Sequence, residues 1–288
     1  MINPVIPHLM RYPLAFRGLR VKPAMTICCK MAKNEMTFWE HLDDLRAILF
    51  RCVGVVVLAM MVIFPFKEII FGQIILAPAS SDFVLYQWLC GAAERFAVAG
   101  LCPEAFSVTL INIELSGQFF IHLRMSFWIG LTLVFPFIIY QFWTFVSPAL
   151  NKRERKAAVP IFFSSSLLFY LGVLVSYLVL FPLTIRFLGT YQVSQIVANQ
   201  ISLESYISTL TILCLAMGLL FQMPVLVYFL SRIGLITRSF LKNYRKHAIV
   251  IILIISAIIT PTADPFTMLI MGLPLILLYQ ASIYICRK

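Results

Sequence analysis

The sequence predicts an all-α integral membrane protein of six transmembrane helices with both termini on the cytoplasmic side. Three observations carry this reading. Hydrophobic residues make up 61% of the chain and charged residues only 12%. A water-facing surface needs about a quarter charged residues, so most of this surface faces lipid. The apolar residues fall into six successive runs nearly free of Asp, Glu, Lys and Arg, and crossing the hydrocarbon core takes about 20 such residues. With the N-terminus inside, 19 of the 23 Lys and Arg residues fall in inside segments. That bias sets orientation in a bilayer. The net charge of +11 therefore reports topology. It does not point to nucleic acid, because the basic residues cluster between apolar runs without interleaved aromatics.

Residues 1–35 form a basic tail. Its first thirty positions hold four prolines, show no helical period and lack the continuous apolar core of a signal peptide. The segment reads either as disordered or as lying upstream of a start at Met31, from which the chain leads directly into the first patterned segment. No function is assigned to it.

Residues 36–288 read as one membrane domain, with helices over 47–66, 119–146, 157–182, 205–231, 247–260 and 266–286. The first includes Arg51, whose long stem can snorkel to the interface. The fifth is short. From Ala248 to the proline at 261 there is about 20 Å of helix, against a core of about 30 Å. Local thinning of the bilayer or burial by neighbouring helices would accommodate it. A short fifth helix followed by a short sixth would leave a concave wall in place of a straight bundle.

The largest extramembrane segment, residues 67–117, lies outside. Pro78 marks a rigid turn there, and 83–96 looks amphipathic. Cys90 and Cys102 share this loop. In an oxidising compartment they can pair, which in the chain-entropy model is worth about 3 kcal/mol. The alternative is two free thiols packed under the loop. None of the seven cysteines has zinc-site spacing. No metal or cofactor is expected.

The polar residues near the spans carry the chemistry. In Phe38-Trp39-Glu40-His41-Leu42-Asp43-Asp44-Leu45-Arg46 the leucines form a stripe at helical spacing, and the aromatic pair suits the headgroup level. Glu40 and Asp43 are accounted for by the positive end of the helix dipole. Asp44 stands a turn closer to the bilayer, where a carboxylate is a good bidentate acceptor for a guanidinium. Glu154 is the lone acid among Lys152, Arg153, Arg155 and Lys156. It either caps the third helix and pairs with those bases, or offers a second acceptor facing the same compartment. Gln222 lies in mid-span, where a polar side chain points at protein or water; an interhelical hydrogen bond is the plain reading. Asp264 either caps the sixth helix or lines the outer mouth.

These motifs together resemble the TatC family of twin-arginine protein translocases. The resemblance rests on His41-Leu42-Asp43-Asp44-Leu45-Arg46 before the first helix and on 140–150 (YQFWTFVSPAL), followed by a basic run with one Glu. It extends through Pro160, Ser164–Gly172, Phe181-Pro182-Leu183 and Phe221-Gln222-Met223-Pro224 to Thr260-Pro261-x-x-Asp264. Two positions depart from the family pattern: Asp44 stands for a Glu, and Ile48 for a second Arg. The resemblance implies a non-enzymatic receptor with a concave six-helix fold in the bacterial inner membrane. Asp44 and Glu154 would accept the paired arginines of an export signal, with Arg46 and Phe145 shaping the site. Gln222 and Asp264 would line a polar surface met by partners, and Pro78 would shape the outer loop. The implied partners are TatA- and TatB-type single-span proteins, twin-arginine signal peptides of folded cargo, other TatC copies and membrane lipid. Transport would run on the proton-motive force.

Two other classes fit less well. A secondary transporter of a small solute usually shows internal repeats and broken helices, and no repeat is visible here. An intramembrane hydrolase needs a catalytic set within the spans, whereas His8, His41, His122 and His247 lie near interfaces or in the tail.

Overall fold

The computed structural model describes residues 38–80, 83–88, 90, 109–146, 158–191, 194, 199–232, 234–260 and 264–286. The tail over 1–35 lies outside these residues. Chain contacts divide the molecule after Asp44. The described residues before that point are the opening turns of the first helix, and all packing below lies within Leu45–Lys288.

Helix α1 spans Phe38–Ile63, so the segment expected to precede the first span is its beginning. Short turns of 3₁₀, α and π type follow from Phe64–Phe66 to Ala77–Ala79. Helix α2 is Gly117–Val146 and α3 is Ala158–Val175. A π-helical segment, Ser176–Leu180, joins α3 to α4, Phe181–Thr190. Helix α5 is Leu203–Leu220 and α6 is Met223–Arg232. Then come α7, Arg238–Asn243, α8, Arg245–Ile259, and α9, Pro265–Ile285. Among the described residues, five helical stretches are long and apolar enough to cross a membrane. Helix α8 is the exception, with 15 residues, or about 22 Å.

Three expectations are corrected. The last helix is not short: α9 has 21 residues, enough for about 31 Å. Its start is fixed by Pro265 in the first turn and by Asp264, whose carboxylate accepts from the Thr267 amide at 2.7 Å; both devices favour an early, well-defined beginning. The third span runs beyond 182 to Thr190 through the π segment. Pro182 has no N–H to donate, and the turn before it widens so that the Phe181 amide bonds to Ser176 O. The fourth span is interrupted at Phe221 and Gln222, just before Pro224, which has no N–H to offer Leu220 O four residues back.

Lipid is as apolar as leucine, so helices associate in a bilayer through close packing and hydrogen bonds. The tightest crossing is α3 on α5. A Cβ added to Gly172 would lie 2.6 Å from Met217 O and 3.0 Å from Gly218 Cα. One on Gly218 would meet the Phe169 ring at 2.7 Å. Phe169 is fully buried and stacks on Phe135 with centroids 3.5 Å apart, so α2 closes the same contact. Tyr206, Leu213, Met217 and Met271 complete this core, all with no exposed surface.

Tyrosine hydroxyls fasten the segment that follows α1 to the helices. Tyr206 donates to Ile75 O at 2.8 Å, Tyr177 to Ile74 O at 2.6 Å and Tyr86 to Pro182 O at 2.9 Å. Pro78 is buried in the turn Ala77–Ala79, where its fixed φ costs little. Strands β1, Leu110–Ile111, and β2, Ile201–Ser202, pair in parallel. Cys90 is disulfide-bonded; Cys102 lies outside the described residues.

At the start of α5, Glu204 receives both Nη atoms of Arg124 from α2 at 2.7 Å each. The side chains remain 36% and 52% exposed, which limits the worth of the pair. A double-mutant cycle with Arg124→Gln and Glu204→Gln, read by thermal unfolding in detergent, is expected to return a coupling of about 1 kcal/mol. A coupling of zero would mean that the fork geometry adds nothing to stability.

Candidate functional site

Asp44 and Arg46 occupy successive opening turns of α1. The acids there sit well at a helix N-terminus, and the leucine stripe continues into the span. Asp44 is exposed and makes no ion pair among the described residues. Arg46 is also exposed, with its guanidinium over the Phe50 ring at 5.7 Å, a contact that keeps the cation at the greasy edge of the helix. Phe145 is half-buried near the end of α2. Glu154 lies outside the described residues.

Gln222 sits at the break between α5 and α6. Its backbone amide bonds to Leu219 O, one residue short of the α-helical partner. This leaves Gly218 O, which the side-chain Nε2 approaches at 3.4 Å. Nε2 also donates to Ser165 O at 3.1 Å, and Oε1 accepts from Ser165 Oγ. The amide therefore takes up a carbonyl left open at the break and joins the break to α3. Breaks in membrane helices are tolerated when side chains and neighbouring helices satisfy the open backbone groups.

This polar clamp borders an apolar groove of about 450 Å³ between α2, α3 and the α5–α6 break. Phe135, Phe142, Trp143, Leu226 and Phe229 line it, with Ser165 and Gln222 as its polar members. Sequence reading found Gln222 but missed Ser165, which it saw only as the middle of a serine run. No local signal marks a partner 57 positions away. Glu204 was missed as well, although a lone acid at the start of one apolar run and a lone arginine in another hinted at the pair.

The Gln222 contacts are worth about 0.6 to 1.7 kcal/mol by the measure of other interhelical bonds in membranes. Gln222→Leu is expected to lower the thermal midpoint in detergent by about 2–4 °C. Loss of the folded state altogether would show that the break cannot close without the amide.

Asp264 is a cap, as its bond to Thr267 shows. Among the described site residues, only Ser165 and Gln222 are brought into direct contact with each other.

These features define a multi-span helical membrane protein whose buried polar groups serve contact between helices. The chain matches the family model described as Sec-independent protein translocase protein (TatC) over residues 40–274. It is 40% identical to the Sec-independent protein translocase protein TatC of Blattabacterium sp. subsp. Periplaneta americana (strain BPLAN), over 89% of this chain and 97% of that one. Against the TatC of Helicobacter pylori (strain ATCC 700392 / 26695) the identity is 36%, over 86% of each chain. The fold resembles a solved structure described as the twin arginine translocase receptor TatC in DDM, with a TM-score of 0.69 and 32% identity. That match covers 86% of this chain and all of the solved one. The chain belongs to the TatC family: it is a non-enzymatic, multi-span subunit of a protein translocase.

Proposed function

We propose that this protein is the signal-peptide receptor of a twin-arginine translocase in the bacterial inner membrane. It crosses the bilayer six times, with α8 as the short crossing and both termini in the cytoplasm. Asp44 and Glu154 accept the guanidinium groups of consecutive arginines, and Arg46 and Phe145 bound the site. Single-span partners of the TatA and TatB type meet the helices beside the Gln222 groove, and folded cargo then crosses at the expense of the proton-motive force. Further copies of the chain and membrane lipid complete its surroundings.

The observation that carries this reading is the exposed carboxylate of Asp44 on the opening turns of a membrane helix, with no ion pair among the described residues. A cationic ligand arriving there gains a charge-assisted bond. The basic distribution that sets the orientation puts Asp44 and Glu154 in the same compartment. The related receptor structure supports the assignment by likeness.

Photo-crosslinkers placed at 44 and 154 in the full chain test it. Both positions are expected to capture a twin-arginine signal peptide, with yield falling when the two arginines become lysines. Capture that ignores the arginines would remove these acids from the site and leave the family assignment untouched.

A further inference from the structure

We propose that a basic pocket between α7, α8 and α9 binds the phosphate of an anionic phospholipid headgroup. The pocket has a volume of about 540 Å³, and Arg238, Lys242, Arg245, Gln280 and Tyr284 line it. This is the size range of small-molecule sites.

Arg238 and Lys242 stand four residues apart on α7, so they share a face. Arg245 opens α8 after a single intervening turn residue, Tyr244. None of the three has a carboxylate partner among the described residues. Three like charges gathered without a counter-ion repel one another, and an anion in the pocket relieves that repulsion.

The arrangement is held from behind. The Tyr279 hydroxyl donates to Leu241 O at 2.7 Å and fixes α7 against α9. With the amide oxygen of Gln280 turned to the guanidinium, it accepts from Arg245 Nε and Nη2 at 2.6 Å each. Arg238 lies over the Tyr284 ring at 5.7 Å. Both guanidinium planes are thus oriented by neutral partners, which leaves their charge unspent.

A lipid fits better than a free anion because of what continues from the pocket along α9. Leu273, Leu277, Gln280 and Tyr284 recur at intervals of four, three and four, which is one helix face. On that face Leu273 is 64%, Leu277 62% and Tyr284 76% exposed. A headgroup seated on the three cations would lay an acyl chain along the two leucines. Basic pockets between transmembrane helices recognise anionic headgroups by this combination.

The test uses the full chain in detergent, with bound lipid counted by native mass spectrometry. Wild type is expected to retain phosphatidylglycerol in preference to phosphatidylcholine of the same acyl chains, and equimolar inorganic phosphate is expected not to displace it. The triple variant Arg238→Gln, Lys242→Gln, Arg245→Gln is expected to retain at least about tenfold less phosphatidylglycerol, since each base near a lipid surface is worth about a fivefold change in binding. Equal retention of phosphatidylcholine would reduce the site to a greasy surface. Displacement by phosphate would make it a site for a free anion, and full retention by the triple variant would place the lipid elsewhere; each of these overturns the proposal. Acylation of Lys242 in the wild-type chain gives a readout that does not depend on the variant folding. Phosphatidylglycerol is expected to protect it and phosphatidylcholine not to, and unchanged reactivity with both would also overturn the proposal.

Discussion

Replacing Asp44 with lysine is expected to abolish export of a twin-arginine reporter while leaving the protein in the membrane at its normal level. Two effects compete in this substitution, and their sizes decide the outcome. Removing an acid nearly two turns into α1 forfeits at most about 0.3 kcal/mol of dipole interaction, which falls off within the first turn. That is small beside the burial of a 26-residue helix in lipid. Removing one partner of a charged pair costs about 2–5 kcal/mol in binding, and a like charge adds repulsion to the loss. At about 1.4 kcal/mol per factor of ten, even the lower figure is a loss of about thirtyfold. Asp44→Asn should fall between, and Asp44→Glu should stay close to wild type because it keeps the charge. Reporter processing beside an immunoblot of the membrane fraction separates these cases. Normal export by the lysine variant would sink the assignment of Asp44; disappearance of the chain would make the residue structural.

Gly172→Ala is expected to lower the thermal midpoint of the detergent-solubilised protein, although alanine is the better helix former. The helical preference favours alanine by about 0.5–1 kcal/mol. Against it, the new methyl group would sit 2.6 Å from a backbone oxygen, Met217 O, and 3.0 Å from Gly218 Cα. Neither neighbour is a flexible side chain, so the helices must part, and overpacking of this kind costs about 1–3 kcal/mol. Gly218→Ala should behave alike, because the stack of Phe169 on Phe135 blocks rotation of the ring it meets. The double variant should be less than additive, since one separation of α3 from α5 relieves both clashes. Gly172→Val would lose more than alanine. An unchanged or raised midpoint for Gly172→Ala would show that the crossing is looser than the structure implies.

The two sites bear on each other through α3 and α5. Ser165 lies about two turns before Gly172, and Gly218 is the residue whose carbonyl Gln222 approaches. Parting the helices at the glycines therefore stretches the Ser165–Gln222 clamp and opens the apolar groove beside it. The interruption at Gln222 is the feature that a solute transporter would use. Here both polar ends of the amide are engaged by the protein itself, and membership of the TatC family assigns the chain to protein transport.

Proline shows how far local sequence goes. Pro182 and Pro224 coincide with a π segment and a helix break, where the sequence reading ends one helix at 182 and runs another unbroken through 224. Pro136 and Pro274 lie inside α2 and α9, which run on as single helices. The missing N–H is the same in all four. What differs is whether neighbouring groups re-satisfy the freed carbonyl without a change of pitch, and the chain around the proline does not say.

The sequence by itself determined that this is a membrane protein, where its apolar runs lie and which family its motifs resemble. Those properties follow from the length and polarity of each segment, which act residue by residue on transfer into lipid. Only the tertiary structure decided that Ser165 meets Gln222, that Arg124 finds Glu204, and that Gly172 and Gly218 let two backbones touch. In water the buried face of a helix is marked by its apolar stripe. In a bilayer both the protein core and the solvent are apolar, so a helix such as α3 carries no such stripe, and its packed face emerges only when side chains meet.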